Sequence, residues 1–573
     1  MKYRWCVAPA QPALTSFLAG ELRISQLFAQ CLVNRGLSEP GPITRFLQPR
    51  LKDLADPFLI PNMRAAVERL FAARAQGESL VVFGDYDVDG VTASALLTDV
   101  LRKLGWQVQY YLPHRLEEGY GLSRSGVENC LQKFPTKLLL AVDCGSTAFE
   151  TIQWLRQSGI DTIVLDHHQL EEHIPPAVAL VNPHHSSSKT GHARELCSAG
   201  LAFKLAHALL KHGRETGLSE ALEFDLRPYL DLVALGTIAD LASLVGENRI
   251  LITAGLERLN RTTRPGLIAL REVAQIKQRI TGYEVGFLLA PRLNAAGRLE
   301  NALEALHLLM AEDLSEAMPM ALRLDAQNRE RQEIERSIAK DVIASLRSRF
   351  DSERDYVIIE GDPSWHLGVV GIVASRVLQE FYRPAIIFGG DGEHWRGSCR
   401  SIEGFDIAAA LRECTELLVK HGGHAMAAGV SMIPENLEAL RTRLNTIARR
   451  YLRPEHLQPP LRLDAEIIAA DLSAERVDEL NQIQQTGIGN PALQFCIRNV
   501  THQRPLQRVG ADKKHVKMWV TDGTATREAV WWGAGTAENS LPSGRFDLAF
   551  TPQLNEFNGT TTVQLKVLDW RPV

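Results

Sequence analysis

The stretch Leu80-Val81-Val82-Phe83-Gly84-Asp85-Tyr86-Asp87-Val88-Asp89-Gly90 decides the fold. A short, wholly apolar strand, Leu80–Phe83, runs into a glycine and three alternating aspartates. A helical pattern, Val91–Leu104, then takes over. Such a strand, apolar on both sides and followed by a helix, belongs in a parallel sheet covered on both faces. Asp87 and Asp89 sit two positions apart on an extended segment and so project together. Carboxylates this close, without Lys or Arg between them, repel strongly, and a divalent cation is the simplest remedy. D-x-D-x-D-G also opens an EF-hand loop, which needs a bidentate Glu at its twelfth position. Counted from Asp85 that position is Leu96, and the preceding segment reads as strand, so the calcium-loop reading fails.

The pattern repeats downstream. Strand candidates at Gln107–Leu112, Leu138–Val142, Thr162–Leu165 and Val178–Val181 alternate with helical stretches such as Ala148–Ser158. Leu138–Val142 delivers Asp143-Cys144-Gly145-Ser146, and Thr162–Leu165 delivers Asp166-His167-His168. In parallel open sheets the C-terminal strand ends share one edge, where ligands bind. Any one of these aspartates alone is more often a helix cap; together, at equivalent strand ends, they point to one shared site. Carboxylates with one or two imidazoles suit manganese or magnesium better than a structural zinc. A pair of such ions activates water and stabilises an in-line displacement at phosphorus. Asp240 closes the apolar run that begins at Leu235 and needs a partner or an ion there, unless it caps the next helix.

Outward from this core, residues 1 to about 60 read as helical and polar, with a Pro-rich break at Glu39–Pro42. Helices fill about Ser198 to Leu309. A long charged helix, Pro319–Phe350, carries Ile334, Ile338, Val342 and Leu346 every fourth residue, a narrow stripe suited to a bridge between domains. A second α/β segment follows, about Tyr356 to Arg450, with strands at Tyr356–Glu360 and Ala385–Phe388. The end turns to β character at Val516–Thr521, Ala529–Trp532, Phe546–Phe550 and Thr561–Trp570, with an Asn558-Gly559 hairpin signal, which predicts a small five-strand barrel.

A formal net charge of −5 advertises no general affinity for nucleic acid, although a local basic groove suffices for binding. The eight cysteines include no C-x-x-C pair, which excludes zinc-ribbon and thioredoxin-like sites. No apolar run has the length of a signal sequence or a membrane span, so a soluble cytoplasmic protein without membrane attachment is expected.

Taken in order, Gly84–Gly90, Asp143–Ser146, Asp166–His168 and Gly236–Asp240 resemble the DHH phosphoesterase family, named for the triplet at 166–168. Pro291–Leu299, Trp365–Arg376 and His421–His424 are similar to stretches of its single-strand-specific exonucleases. The resemblance covers about 70 to 450, and the β-rich end is similar to an oligonucleotide-binding barrel. It implies an α/β multidomain chain. The expected divisions are an N-terminal helical segment (1–65), a parallel-sheet DHH domain (66–310), a bridging helix (311–350), a smaller α/β domain (351–452) and an OB-type barrel (453–573).

The implied activity is digestion of single-stranded DNA from its 5′ end to mononucleotides with Mn²⁺ or Mg²⁺, in repair and recombination. By motif, Asp89, Asp143, His167 and Asp240 would hold one ion, and Asp87 and Asp143 the other. His168 would lie beside the scissile phosphate, with Asp85 and Asp166 orienting ligands. Some relatives place a His where this chain has Phe83, which implies one tight and one weak metal site. The Gly-rich segment Arg396–Ser401 offers guanidinium, hydroxyl and backbone N–H groups suited to a terminal phosphate. Arg396, Ser398, Arg400 and His424 are therefore expected to hold the 5′ end across a cleft from the metals, with Arg115 and Arg298 facing the strand. In the barrel, Lys513, Lys514 and Lys517 beside Trp519 are candidate strand contacts. Expected partners are single-strand-binding protein and a helicase, with the chain itself a monomer. The rivals are a DHH enzyme for small nucleotides, which would need neither barrel nor bridging helix, and a scaffold with a dead core, which would have lost metal ligands.

Overall fold

The computed structural model describes residues 2–114, 117–119, 121–185, 191, 193–299, 301–390, 392–534, 542–557 and 559–573. The chain divides into two compact units, one made of Arg45–Arg331 with Gln485–Pro491, the other of Met1–Thr44, Gln332–Gln484 and Ala492–Val573. Among the described residues no helix is long and apolar enough to cross a membrane.

The first unit is built on five strands: β1 (Leu80–Gly84), β2 (Val108–Tyr111), β3 (Leu138–Val142), β4 (Asp161–Leu165) and β5 (Ala179–Val181). Their order is β2-β1-β3-β4-β5, every pairing parallel. β1 is buried along its whole length because alternate residues feed two cores. Leu80 and Val82 join one, and Val81 and Phe83 the other. Helix α1 (Val88–Lys103) follows β1 directly. It packs against α2 (Ser198–Glu215) and α3 (Leu230–Ala239), which is apolar nearly all round and correspondingly buried. Lys204, inside α2, is almost fully buried and bonds the Glu247 carboxylate at 3.0 Å and the Ala55 carbonyl at 2.7 Å. A π-helical turn, Val285–Leu289, leads into α4 (Ala290–Leu299). Helix α5 (Leu314–Arg349) starts earlier than the Pro319 read from sequence, taking that proline into its second turn, and the division between the units falls within it.

In the second unit the α5 stripe Ile338, Val342 and Leu346 is buried against Val370, Val373, Ala385 and Ile387. The sheet there comprises β6 (Ile358–Gly361), β7 (Ala385–Gly389), β8 (Trp395–Arg400), β9 (Lys420–His424) and β10 (Ala427–Met432), in the order β9-β10-β8-β7-β6. Helix α6 (Val370–Phe381) joins β6 to β7. The C-terminal strands β11 (Phe495–His502), β12 (His515–Thr521), β13 (Thr526–Trp531), β14 (Phe546–Phe557) and β15 (Thr560–Pro572) pair in a ring, closed between β11 and β12. That is the five-strand barrel expected, with two short extra strands at its edges. Of the Asn558-Gly559 turn, Asn558 lies outside the described residues.

The helical reading of the N-terminus needs one correction. Arg4–Val7 is a strand, paired in parallel with Pro460–Leu463, and Trp5 donates its indole N–H to Asp569 at 2.8 Å. The break read at Glu39–Pro42 is instead where a helix, Pro40–Leu47, begins. Proline is tolerated in a first turn, where its missing N–H would have no partner.

Candidate active site

The register of the parallel sheet aligns Gly84, Val142 and Leu165 in one row, so the residues that follow leave the sheet side by side. Asp85 N–H still bonds the Val142 carbonyl at 3.2 Å, Asp143 N–H the Leu165 carbonyl at 3.0 Å, and Asp166 N–H the Val181 carbonyl at 3.1 Å. Asp143 has φ +62°, a strained conformation for a side chain of this type and one that clusters at functional sites.

Each carboxylate is then fixed by local structure. Asp87 caps α1, its Oδ1 accepting from the N–H groups of Asp89 at 2.9 Å and Gly90 at 3.1 Å. Asp89 is buried and accepts from Ser198 N–H at 2.7 Å and Ala199 N–H at 2.8 Å, the electropositive first turn of α2. The Ser198 hydroxyl donates to Asp143 Oδ1 at 2.8 Å. Asp240 caps the C-terminus of α3.

His167 completes the group. Its Nε2 stands 3.4 Å from Asp143 Oδ1, 3.7 Å from Asp89 Oδ2 and 3.8 Å from Asp240 Oδ2. That nitrogen is buried and has no hydrogen-bond partner among the described residues. Ligands about 2.1 Å from a common ion stand roughly 3 to 4 Å from one another, so the spacing fits a divalent cation and is too long for hydrogen bonds. Burial lowers the His167 pKa, favouring the neutral imidazole that binds metals. Burial, then the charges of Asp87, Asp89, Asp85 and Asp166, holds the Asp143 carboxyl far above its ordinary range. Burial and the nearby Asp89 and Asp87 push Asp240 up to about 9. Without a cation these groups retain protons; a cation is what lets them ionise together.

Asp85, Asp87 and Asp143 offer a second set of oxygens within 4.8 Å of one another, so Asp143 belongs to both sets. Asp85, expected only to orient a ligand, thus lies among the candidate ligands themselves. Phe83 is fully buried and stacks on Tyr111 with ring centroids 5.5 Å apart, in the core on the far face of β1.

Asp166 works on the two histidines after it. It accepts from the N–H groups of Ser146, His167 and His168, and its Oδ1 lies 2.7 Å from His168 Nδ1. Burial opposes charge on His168, but this bond and the Asp166 charge raise its pKa to about 9, leaving a cationic imidazole at neutral pH.

Sequence reading missed Cys197 and Ser198, and it gave Asn294 and Gly297 no role of their own. Cys197 Sγ lies within 4.8 Å of oxygens of Asp89 and Asp240; burial raises its pKa and the thiol donates to Thr237 Oγ1 at 3.4 Å. Ser198 braces Asp143, as described. Asn294 Oδ1 accepts from Val88 N–H at 3.2 Å, and Gly297 leaves no room for a Cβ, which would sit 2.7 Å from the Tyr86 carbonyl oxygen. Helix α4, which also carries Arg298, therefore lies against the Asp85–Asp89 loop. The turn after Asp240 is held by Gln485–Pro491: Leu244 N–H donates to the Ile488 carbonyl at 2.7 Å. A Cβ on Gly489 (φ +74°) would fall 2.1 Å from Ser243 Oγ.

In the second unit Arg396, Ser398 and Arg400 alternate along β8 and face one side. Register places His424, Ala427 and Arg400 in one row across β9, β10 and β8. Gly371, in the first turn of α6, approaches the same face: its Cβ would lie 2.9 Å from Ser398 Oγ and 3.3 Å from Arg400 Nη2. Two guanidiniums, a hydroxyl and a helix N-terminus thus gather there. Arg115 lies outside the described residues. In the barrel, Arg504 and Lys517 stand 5.3 and 5.2 Å from the Trp519 ring. Of the adjacent Trp531 and Trp532 in the barrel, Trp532 is exposed and Trp531 is half-buried.

Family models match in chain order: the DHH family N-terminal domain at residues 79–237, the DHHA1 domain at 354–450 and the RecJ OB domain at 463–569. The single-stranded-DNA-specific exonuclease RecJ of Bacillus subtilis is 36% identical over 99% of this chain and 71% of its own length. The chain belongs to the RecJ family. The RecJ of Haemophilus influenzae is 36% identical over 91% of this chain and 93% of its own, and that of Escherichia coli 34% identical over 90% and 91%. The solved structure of Thermus thermophilus RecJ with Mn²⁺ superposes with a TM-score of 0.84 at 29% identity, covering 100% of this chain and 80% of that one. The same RecJ with Mg²⁺ gives 0.79 at 28% identity, over 100% and 79%.

Proposed function

We propose that this chain is a divalent-metal-dependent exonuclease that hydrolyses single-stranded DNA from the 5′ end and releases mononucleotides, in DNA repair and recombination. The observation that carries the chemistry is the convergence of His167 Nε2 with the carboxylates of Asp89, Asp143 and Asp240, all 3.4 to 3.8 Å away. Asp89, Asp143, His167 and Asp240 would hold one Mn²⁺ or Mg²⁺, and Asp87 with Asp143, joined by Asp85, the other. Bound there, such ions supply a water acidic enough to attack phosphorus and positive charge for the oxygens of the displacement. The protein's own groups do the rest. Asp166 holds His168 protonated, and that cation donates to a phosphoryl oxygen as negative charge builds. Ser198 and the first N–H groups of α2 keep Asp143 and Asp89 in place while the site changes charge.

The face shared by Arg396, Ser398, Arg400 and His424 suits a terminal phosphate, which guanidinium groups and a helix N-terminus bind. Arg115 and Arg298 are assigned to the strand's backbone. Trp519, with Arg504 and Lys517 beside it, suits unpaired bases further along. Single-strand-binding protein and a helicase are the partners such a substrate implies, and the chain works as a monomer in the cytoplasm. Digestion of 5′- and 3′-labelled single- and double-stranded DNA with Mn²⁺, Mg²⁺ or chelator tests the proposal. Metal-dependent release of the 5′ label from single strands alone is the expected result. Release from the 3′ end, or equal digestion of duplex, overturns it.

A further inference from the structure

Two large aromatic side chains in the metal-bearing unit face solvent together. Tyr283 is 62% exposed and Phe287 66%. Their ring centroids are 4.9 Å apart with an interplanar angle of 31°. Apolar rings left in water as a pair usually mark a binding surface. Their backbone is firmly set: Thr281 and Glu284 form a reciprocal capping box, and Phe287 lies in the π-helical turn Val285–Leu289. Inserted π-turns of this kind recur at functional sites.

We infer that the Tyr283–Phe287 pair is a stacking platform for unpaired nucleobases of the single strand whose phosphate enters the metal site. Position argues for this first. Gly286, between the rings, sits against α3: its Cβ would lie 4.0 Å from Ile238 Cγ2, two residues before Asp240. The same helical run continues to Asn294, bonded to the Val88 N–H beside Asp87 and Asp89. The rings therefore stand on an element that passes alongside the carboxylates.

Charge argues for it second. Lys277 and Arg279, just ahead of the rings, are exposed and form no hydrogen bond or ion pair with the described residues. Exposed cations close in sequence to exposed rings are a composition that suits a sugar-phosphate strand and its stacked bases. A duplex hides its base faces within its own stack, so such a platform would favour unpaired strands without reading sequence.

The inference rests on the nuclease reading for the identity of the strand, and the test separates the two. Binding of a labelled oligothymidylate, and of an abasic oligomer of equal length, is measured by fluorescence anisotropy in chelator, using the full chain. Tyr283→Ala/Phe287→Ala should bind the oligothymidylate at least about tenfold more weakly. It should bind the abasic oligomer as the parent does, and Tyr283→Trp/Phe287→Trp should keep the parent's affinity. Unchanged calorimetric Mn²⁺ binding shows that the double alanine variant is folded around its metal site. Equal affinity of parent and alanine variant for the oligothymidylate overturns the inference, as does an equal loss on the abasic oligomer. Failure of the parent to digest single strands would instead remove the nuclease reading.

Discussion

His168 Nδ1 and Asp166 Oδ1 lie 2.7 Å apart, and that one bond separates the fates of two adjacent histidines. His168 is held protonated, while its neighbour His167, whose pKa burial lowers, is left to bind metal. His168→Ala should reduce kcat by about a hundredfold, the size expected for loss of a charged donor to the transition state. Asp166→Asn should lower the His168 pKa from about 9 toward that of a free imidazole. The sign follows from linkage. A raised pKa stabilises the fold below the unfolded value, and that contribution disappears as pH rises through about 9. NMR titration of the metal-free chain measures the shift directly.

Asp143 belongs to both oxygen sets, so Asp143→Ala should abolish metal binding at both and lower activity by a thousandfold or so. Asp240→Asn touches one set only. Calorimetry on the parent should resolve one tight and one weak Mn²⁺ event, since Phe83 lends no ligand to the Asp87 side. Two equally tight events would contradict this.

Metal and pH should act together on stability. Carboxyls whose folded pKa is raised, such as Asp143 and Asp240, weaken the metal-free fold as pH climbs from the ordinary carboxylate range toward about 9. A cation removes that penalty. The rise in Tm caused by Mn²⁺ should therefore be larger at pH 8.5 than at pH 6, and EDTA should erase it, as thermal unfolding in matched buffers will show.

Arg400 and Ser398 meet the first turn of α6. Arg400→Ala should raise KM for a 5′-phosphorylated strand about tenfold or more, while a 5′-hydroxyl strand changes little. Equal effects on both ends would remove the terminal-phosphate role.

Gly489 has no space for a methyl group beside Ser243. Gly489→Ala should destabilise the chain by about 1–3 kcal/mol, because φ there is positive and the backbone is crowded. Urea unfolding measures the loss, and weaker Mn²⁺ binding should accompany it through the turn after Asp240.

The aspartates and histidines at the strand ends were legible because apolar runs fix where parallel strands stop, and ligands gather at that edge. Phe83 is read from sequence only as the place where some relatives carry a His; that it faces away from Val82, into the other core, is a finding of the structure. What escaped was whatever depends on distant chain. Arg4–Val7 is a strand only because Pro460–Leu463 lies beside it. Ser198 braces Asp143 from a helix start that carries no motif. Asn294 lay inside a recognised stretch, but its bond to Val88 depends on how α4 packs, which periodicity does not encode.

The lodging of Gln485–Pro491 against Ser243 and Leu244, in the turn after Asp240, bears on how the protein is born. A chain leaves the ribosome from its N-terminus, and domains fold as they emerge. All the candidate ligands are out early, yet the segment that holds the turn after the last of them follows only after the whole of Gln332–Gln484. A nascent chain would thus carry an unfinished metal centre until the barrel begins to appear. A fragment cut before Gln485 would keep every ligand and still lack part of its scaffold.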